Sequence, residues 1–177
     1  MWAGAHVRPI PGNTPQLLRE GKWLAHTYDV FERIAEEEPW AGVRKVEGVE
    51  YFAKPLPDYV AVAQGRDQGL YASTPGFRQL GREELPRDVV LGFRYDTYCV
   101  NSPVYCMSLL RKFRMRGGKI LRRSLVSERE GFTLAENVMC VVNASGMGFG
   151  DQKTFPTRGP SRLCTDGRLC GVLISTV

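Results

Sequence analysis

The residues that first suggest chemistry lie at 141–159, "VVNASGMGFGDQKTFPTRG", where a β-branched apolar run enters three glycines, Gly146, Gly148 and Gly150. Glycines at the end of a strand let a ligand approach the backbone. A glycine turn that opens a helix can also hold a phosphate through free N–H groups and the helix dipole. A dinucleotide fingerprint places GxGxxG at such a helix start. The spacing here is GxGxG, and Gly150, Asp151 and Pro156 leave little room for a helix to begin and continue. Two readings stay open: a plain glycine-rich strand exit, and a loop that faces a cofactor without gripping its pyrophosphate.

Solvation and packing account for the other residue sets. The formal net charge is +5, and its densest stretch is "RKFRMRGGKILRR" at 111–123. Cys106, Leu109, Leu110 and Phe113 recur at i, i+3, i+4 and i+7, so one helix face is apolar and the basic residues occupy the remainder. No zinc-ligand spacing, helix-turn-helix or aromatic RNA-binding motif accompanies the charge, so no nucleic-acid partner is expected. Five cysteines, Cys99, Cys106, Cys140, Cys164 and Cys170, form an odd set with no secretory leader, which predicts reduced thiols. Cys99, Cys106 and Cys140 have apolar neighbours and are expected as small core residues. His6 and His26 are the sole histidines, and neither HExxH nor GxSxG occurs. The carboxylates fall mainly on helix faces and turns and read as solvated. No apolar run reaches the length of a membrane span.

These residues need elements to position them. The 177 residues, 43% apolar and 24% charged, suit one ordinary domain, and eleven prolines with nineteen glycines point to many turns. Residues 1–12 read as a loop. Thr14 can cap a helix with Pro15 in its first turn, and Leu17, Leu24, Tyr28, Phe31 and Ala35 keep a helical period until "EEEP". Glu36, Glu37 and Glu38 oppose the helix dipole, so fraying is expected there. From Val46 to about Asp96, short extended segments such as "GVEYFA" alternate with Gly, Pro and Asp. Pro103 opens a second helix through about Arg116, closed by Gly117 and Gly118. "KILRRSL" is expected as a strand, and "NVMCVVNAS" at 137–145 as a buried one. The order suggests an α/β fold with part of an open sheet.

Four ordered blocks, "WAGAHVRPIP" at 2–11, "GFRYDTYCVNSPVYCMSLLRKF" at 92–113, "VVNASGMGF" at 141–149 and "FPTRG" at 155–159, resemble the fungal-type D-amino-acid oxidases. The resemblance runs from about Trp2 to Gly159. It implies a partial split dinucleotide-binding (FAD) domain interrupted by a sheet-rich substrate domain. Residues 1–45 would be an FAD-domain remnant, 46–101 the substrate-domain segment, 102–159 the second FAD-domain part, and 160–177 a tail the family does not match. The implied activity is oxidative deamination of D-amino acids to imino and 2-oxo acids, with oxygen reoxidising the flavin to give hydrogen peroxide. The implied cofactor is FAD, with Ala3, Gly4, Ala5 and His6 against the flavin, the backbone of Leu125 at the adenine, and Ser145 with Gly146 at a strand end touching FAD. His6 reads equally well as a loop histidine packed beside Trp2.

The chain also departs from the family pattern. Relatives place GxGxxG and an acidic ribose-binding residue before the "WAG" block, whereas here Met1 directly precedes Trp2. Pro160 replaces a family Gln, and the later tyrosine and arginine that hold the substrate carboxylate have no counterpart in 160–177. A form shortened at both ends is therefore expected, either an oxidase by descent or a non-catalytic remnant acting as an interaction module. Family members are peroxisomal, but Ser175-Thr176-Val177 is not that address, so the chain as written is expected in the cytoplasm.

Overall fold

The structure is a computed structural model, and it describes residues 6–66 and 71–150. The described residues divide into two compact units, one running to Lys112 and one from Phe113. The first holds a mixed α/β arrangement around a small antiparallel sheet. Helix α1 spans Pro15–Glu37, strand β1 Val43–Phe52, helix α2 Pro57–Ala63, strand β2 Arg78–Gln79, strand β3 Leu91–Val100 and helix α3 Ser102–Met115. The sheet order is β1-β3-β2.

Helix α1 starts where local chemistry directs. Thr14 sits in an extended conformation at φ −66° and ψ 149°, its hydroxyl oxygen accepts from the Leu17 N–H at 3.2 Å, and Pro15 takes the first turn. Its far end does not show the fraying expected from three glutamates. The Glu38 N–H still donates to the Ile34 carbonyl at 2.9 Å. The Lys112 ammonium on α3 donates to Glu38 Oε1 at 2.6 Å, supplying the cation that this helix end lacks in its own sequence. Pro39 then ends the helix.

Strands β1 and β3 pair from Val43 with Val100 to Phe52 with Leu91, so the alternation of side chains is shared across ten residues on each strand. One face carries Gly48, Glu50 and Phe52 beside Leu91, Phe93, Tyr95 and Thr97. It packs on Tyr59 and Val62 of α2 and on Tyr71, the larger of two buried clusters. The other face is split. Its Val43, Tyr98 and Val100 end lies under Tyr28, Phe31 and Ile34 of α1, while Lys45 with Asp96 and Arg94 with Glu47 form ion pairs in the open. Gly48 makes the aromatic face possible, because a Cβ at that position would stand 2.9 Å from the Tyr95 ring.

Helix α3 closes as the glycines predict. Gly117 adopts φ 85°, its N–H donates to Arg114, and the Gly118 N–H reaches back to Phe113 at 2.9 Å, the paired bonds of a Schellman cap. Its apolar face stays open: α3 has no buried residue, and Leu109, Leu110 and Phe113 are exposed because nothing described in the structure covers that face. Cys106 and Cys140 are exposed and Cys99 only half-buried, so apolar neighbours in sequence did not become a core around them.

The second unit differs most from the sequence reading. Neither 119–125 nor 137–145 forms a strand, and Met139 and Val142 are 97% and 84% exposed. A β-branched run supplies one strand's worth of donors and acceptors, and a ladder needs a second strand to receive them. None of the described strands pairs with either segment. Instead, short 3₁₀ turns occupy Glu128–Thr133 and Gly148–Gly150.

Candidate functional site

The residues just ahead of α1 are built into the sheet. His6 forms an antiparallel bridge with Cys99 on the free edge of β3, and the Val7 N–H donates to the Tyr98 carbonyl at 3.0 Å. The Thr97 hydroxyl donates to the Val7 carbonyl at 2.5 Å. These bonds continue the edge on which β2 pairs further along β3, and they set the next side chain, Arg8, over the aromatic face.

Arg8 meets a polar cluster sunk among the aromatics. Glu50, only 2% exposed, takes the Tyr95 hydroxyl on Oε1 at 2.5 Å, and Arg8 Nε stands 3.7 Å from the same oxygen. The other Arg8 arm donates to the Tyr59 hydroxyl at 3.4 Å. Glu50 Oε2 and the Tyr71 hydroxyl are buried without a hydrogen-bond partner of full geometry, although Tyr71 faces the carboxyl closely enough to favour its ionised form. Burial pushes the Glu50 carboxyl above the usual range, against the opposing pull of Tyr95, then Arg8, then Tyr71. Burial likewise raises the Tyr71 and Tyr95 phenols, with the Glu50 charge adding to it, so both remain protonated donors.

His6 stands at the mouth of this cluster. Its ring stacks on Tyr95 with centroids 6.3 Å apart at 27°, and both ring nitrogens are buried without a partner among the described residues. Burial first, and the Arg8 charge second, lower its proton affinity, so the neutral imidazole prevails at neutral pH. A neutral ring with one donor and one acceptor, both unused, fits a polar planar ligand at that corner. A hollow of about 160 Å³ beside Arg8 is lined by Pro9, Ile10, Leu17 and Leu24. Another, about 410 Å³ and open, is lined by Glu32, Glu36, Arg44, Lys45 and Tyr98 on the opposite face of the sheet.

The sequence-derived site residues fare unequally. Ala3, Gly4 and Ala5 lie outside the described residues, and His6 occupies the buried corner just described. In the second unit, Leu125 is half-buried on an extended segment without a ladder, while Ser145 and Gly146 are exposed. Asn143 Oδ1 accepts from both the Ser145 N–H, at 3.0 Å, and its hydroxyl, at 2.7 Å. Gly146 has φ 65° with nothing within 4 Å of where a Cβ would stand. The glycines of 146–150 therefore serve a left-handed turn, and no α-helix begins among them in the described residues. Reading by residue type missed Arg8, Glu50, Tyr59, Tyr71 and Tyr95. The available signal was a carboxylate at every-other-residue spacing with Gly48 and Phe52 on a strand.

Among the described residues no helix is long and apolar enough to cross a membrane, and no group of three or more His, Cys, Asp or Glu side chains could hold a metal ion. A mixed α/β unit whose buried corner offers an unpaired imidazole beside an arginine is suited to holding a polar organic ligand.

Comparison with known proteins places it further. The chain is 42% identical over 167 residues to a D-aspartate oxidase of Talaromyces thermophilus, covering 92% of this chain and 44% of that protein. It is 29% identical over 144 residues to a D-amino-acid oxidase of Dictyostelium discoideum and 25% identical over 165 residues to one of Schizosaccharomyces pombe. No family model matches it. The chain is thus similar to a D-aspartate oxidase and to D-amino-acid oxidases across most of its length, as the four sequence blocks anticipated. It spans under half the length of these relatives, 44%, 38% and 44% respectively.

Proposed function

We propose that this chain carries one wall of a flavin site belonging to an FAD-dependent oxidase of D-amino acids, producing imino or 2-oxo acids and hydrogen peroxide. The observation that carries the reading is the 42% identity to a D-aspartate oxidase over 92% of the chain. A split dinucleotide-binding domain, interrupted by the segment that holds β1, β2 and β3, is the fold that goes with it. FAD, when bound, supplies the hydride acceptor. The chain would contribute the loop at Ala3, Gly4, Ala5 and His6, together with Leu125, Ser145 and Gly146. The unpartnered ring nitrogens of His6 are consistent with a polar cofactor edge there. The exposed placement of Ser145 and Gly146 gives no formed cradle within the second unit by itself, so no step is assigned to them.

A second reading has its own support. Met107, Leu109 and Leu110 are 71%, 44% and 46% exposed on α3, an uncovered apolar stripe of the kind that interaction modules present. Titrating the purified chain into FAD and following flavin fluorescence, then assaying peroxide with D-aspartate and with a neutral D-amino acid, separates the two. Quenched flavin with D-isomer-dependent peroxide supports the oxidase. Unquenched flavin, with cooperative unfolding and concentration-dependent association of the chain, supports the module and sinks the oxidase reading.

A further inference from the structure

The cluster beneath His6 is built from four separate parts of the chain: Arg8 from the segment ahead of α1, Glu50 from β1, Tyr59 from α2 and Tyr95 from β3, with Tyr71 closing the base. Such an assembly is costly. A carboxylate 2% exposed must recover its lost hydration from neighbours, and it does so through one phenol and one guanidinium. An apolar residue at position 50 would pack on Phe52 and Phe93 without that cost, so the carboxylate demands a reason beyond core filling.

Geometry supplies the reason. Among the described residues Arg8 is the one cation facing the Glu50 carboxyl, and its guanidinium is fixed at two points, Glu50 and Tyr59. The same guanidinium acts on the His6 ring two residues earlier. The backbone of Val7 between them is bonded to Thr97 and Tyr98, so Arg8 cannot shift without disturbing how the His6 corner is polarised. We infer that Glu50 is a positioning residue: its buried carboxyl, oriented by Tyr95, anchors Arg8 and thereby sets the electrostatic surroundings of the His6 ring. That this ring then faces a flavin rests on the function proposed above; the anchoring itself does not.

His6 and His26 are the chain's two histidines, and His26 lies exposed on α1, which makes the experiment clean. The full chain, labelled at histidine nitrogen and free of flavin, is titrated by NMR as the natural protein and as Glu50→Gln, Tyr95→Phe and Arg8→Met. Arg8→Met removes the positive charge that disfavours protonation of His6, so the His6 titration moves to higher pH. Glu50→Gln releases Arg8 and moves it the same way, and Tyr95→Phe moves it part of the way. In the Arg8→Met background, Glu50→Gln adds nothing. A folded Glu50→Gln chain with an unmoved His6 titration overturns the inference; should that variant not fold, an unmoved His6 in Tyr95→Phe does so instead. Because no flavin is present, a chain that fails to bind FAD counts against the proposed function alone.

Discussion

The sheet unit and the segment after α3 draw on similar apolar material and end differently. In the first, Phe93, Tyr95 and Thr97 are fully buried because β1 and β3 pair across ten residues and α2 closes over the face they share. In the second, Val126, Met139 and Val142 stay 90%, 97% and 84% exposed, although "MCVV" has as strong a strand composition as any part of β3. The difference teaches that an apolar run contributes stability only where another element is present to satisfy its backbone and cover its side chains.

The widest gap between the two regions should appear on truncating one side chain in each. Phe93 touches Phe52, Tyr71 and Phe77 with ring centroids 5.3–6.0 Å apart. Phe93→Ala should therefore cost about 3–5 kcal/mol, enough to abolish cooperative unfolding of the sheet unit. Met139→Ala should stay within about 0.5 kcal/mol, since an exposed side chain loses no packing. Urea denaturation followed by far-UV circular dichroism checks both, and equal losses at the two positions would erase the distinction.

Gly48 sharpens the comparison from within the sheet. A methyl group there would stand 2.9 Å from the Tyr95 ring and 3.1 Å from Thr97 Cγ2. Gly48→Ala should cost about 1–3 kcal/mol through overpacking, and it should loosen the Tyr95 hydroxyl from Glu50. Gly146→Ala, placed where nothing lies within 4 Å, carries only the cost of its φ of 65°. Denaturation midpoints of the two variants report the ordering, and a Gly146 variant as damaged as the Gly48 one would mean that the loop is packed after all.

What could be read from sequence was whatever a few neighbouring residues decide together. Thr14 with Pro15 starts α1, and Gly117 with Gly118 stops α3, because a cap is settled by side chains and backbone within one turn. The failed strands at 119–125 and 137–145 depended on a partner elsewhere, which one strand's composition does not encode. The exposed Cys106 and Cys140 failed for the same reason: apolar neighbours along the chain are not neighbours in space. At the site, His6 was singled out through the family resemblance, not through its own spacing. Glu50 was not, since its burial follows from the β1–β3 register, from the vacancy left by Gly48 and from the arrival of Arg8 some forty residues upstream.

Gly117 allows a smaller test at the end of α3. Its φ of 85° suits glycine and its surroundings are open, so Gly117→Ala meets no clash and bears only the conformational cost, about 1 kcal/mol. Faster amide exchange over the last turn of α3, with β1 and β3 unchanged, is the expected pattern; protection lost throughout the sheet would show that the cap stabilises far more than its own helix.

The finest distinction between the regions is their response to pH. Glu50 holds its proton more tightly when folded than when unfolded, with burial as the largest cause. Between the ordinary carboxyl value and the raised folded one, the folded state binds more protons than the unfolded chain. Stability is therefore fullest below the ordinary value and declines as pH rises through that window. His6 behaves oppositely: its lowered affinity makes the unfolded chain bind more protons, so stability falls as pH drops below the usual imidazole range. Glu50→Gln should remove the first slope and leave the second, so that denaturation midpoints measured across pH keep only the rise with pH. Met139→Ala in the second unit, which alters no ionisable group, should leave the profile of the natural chain in place.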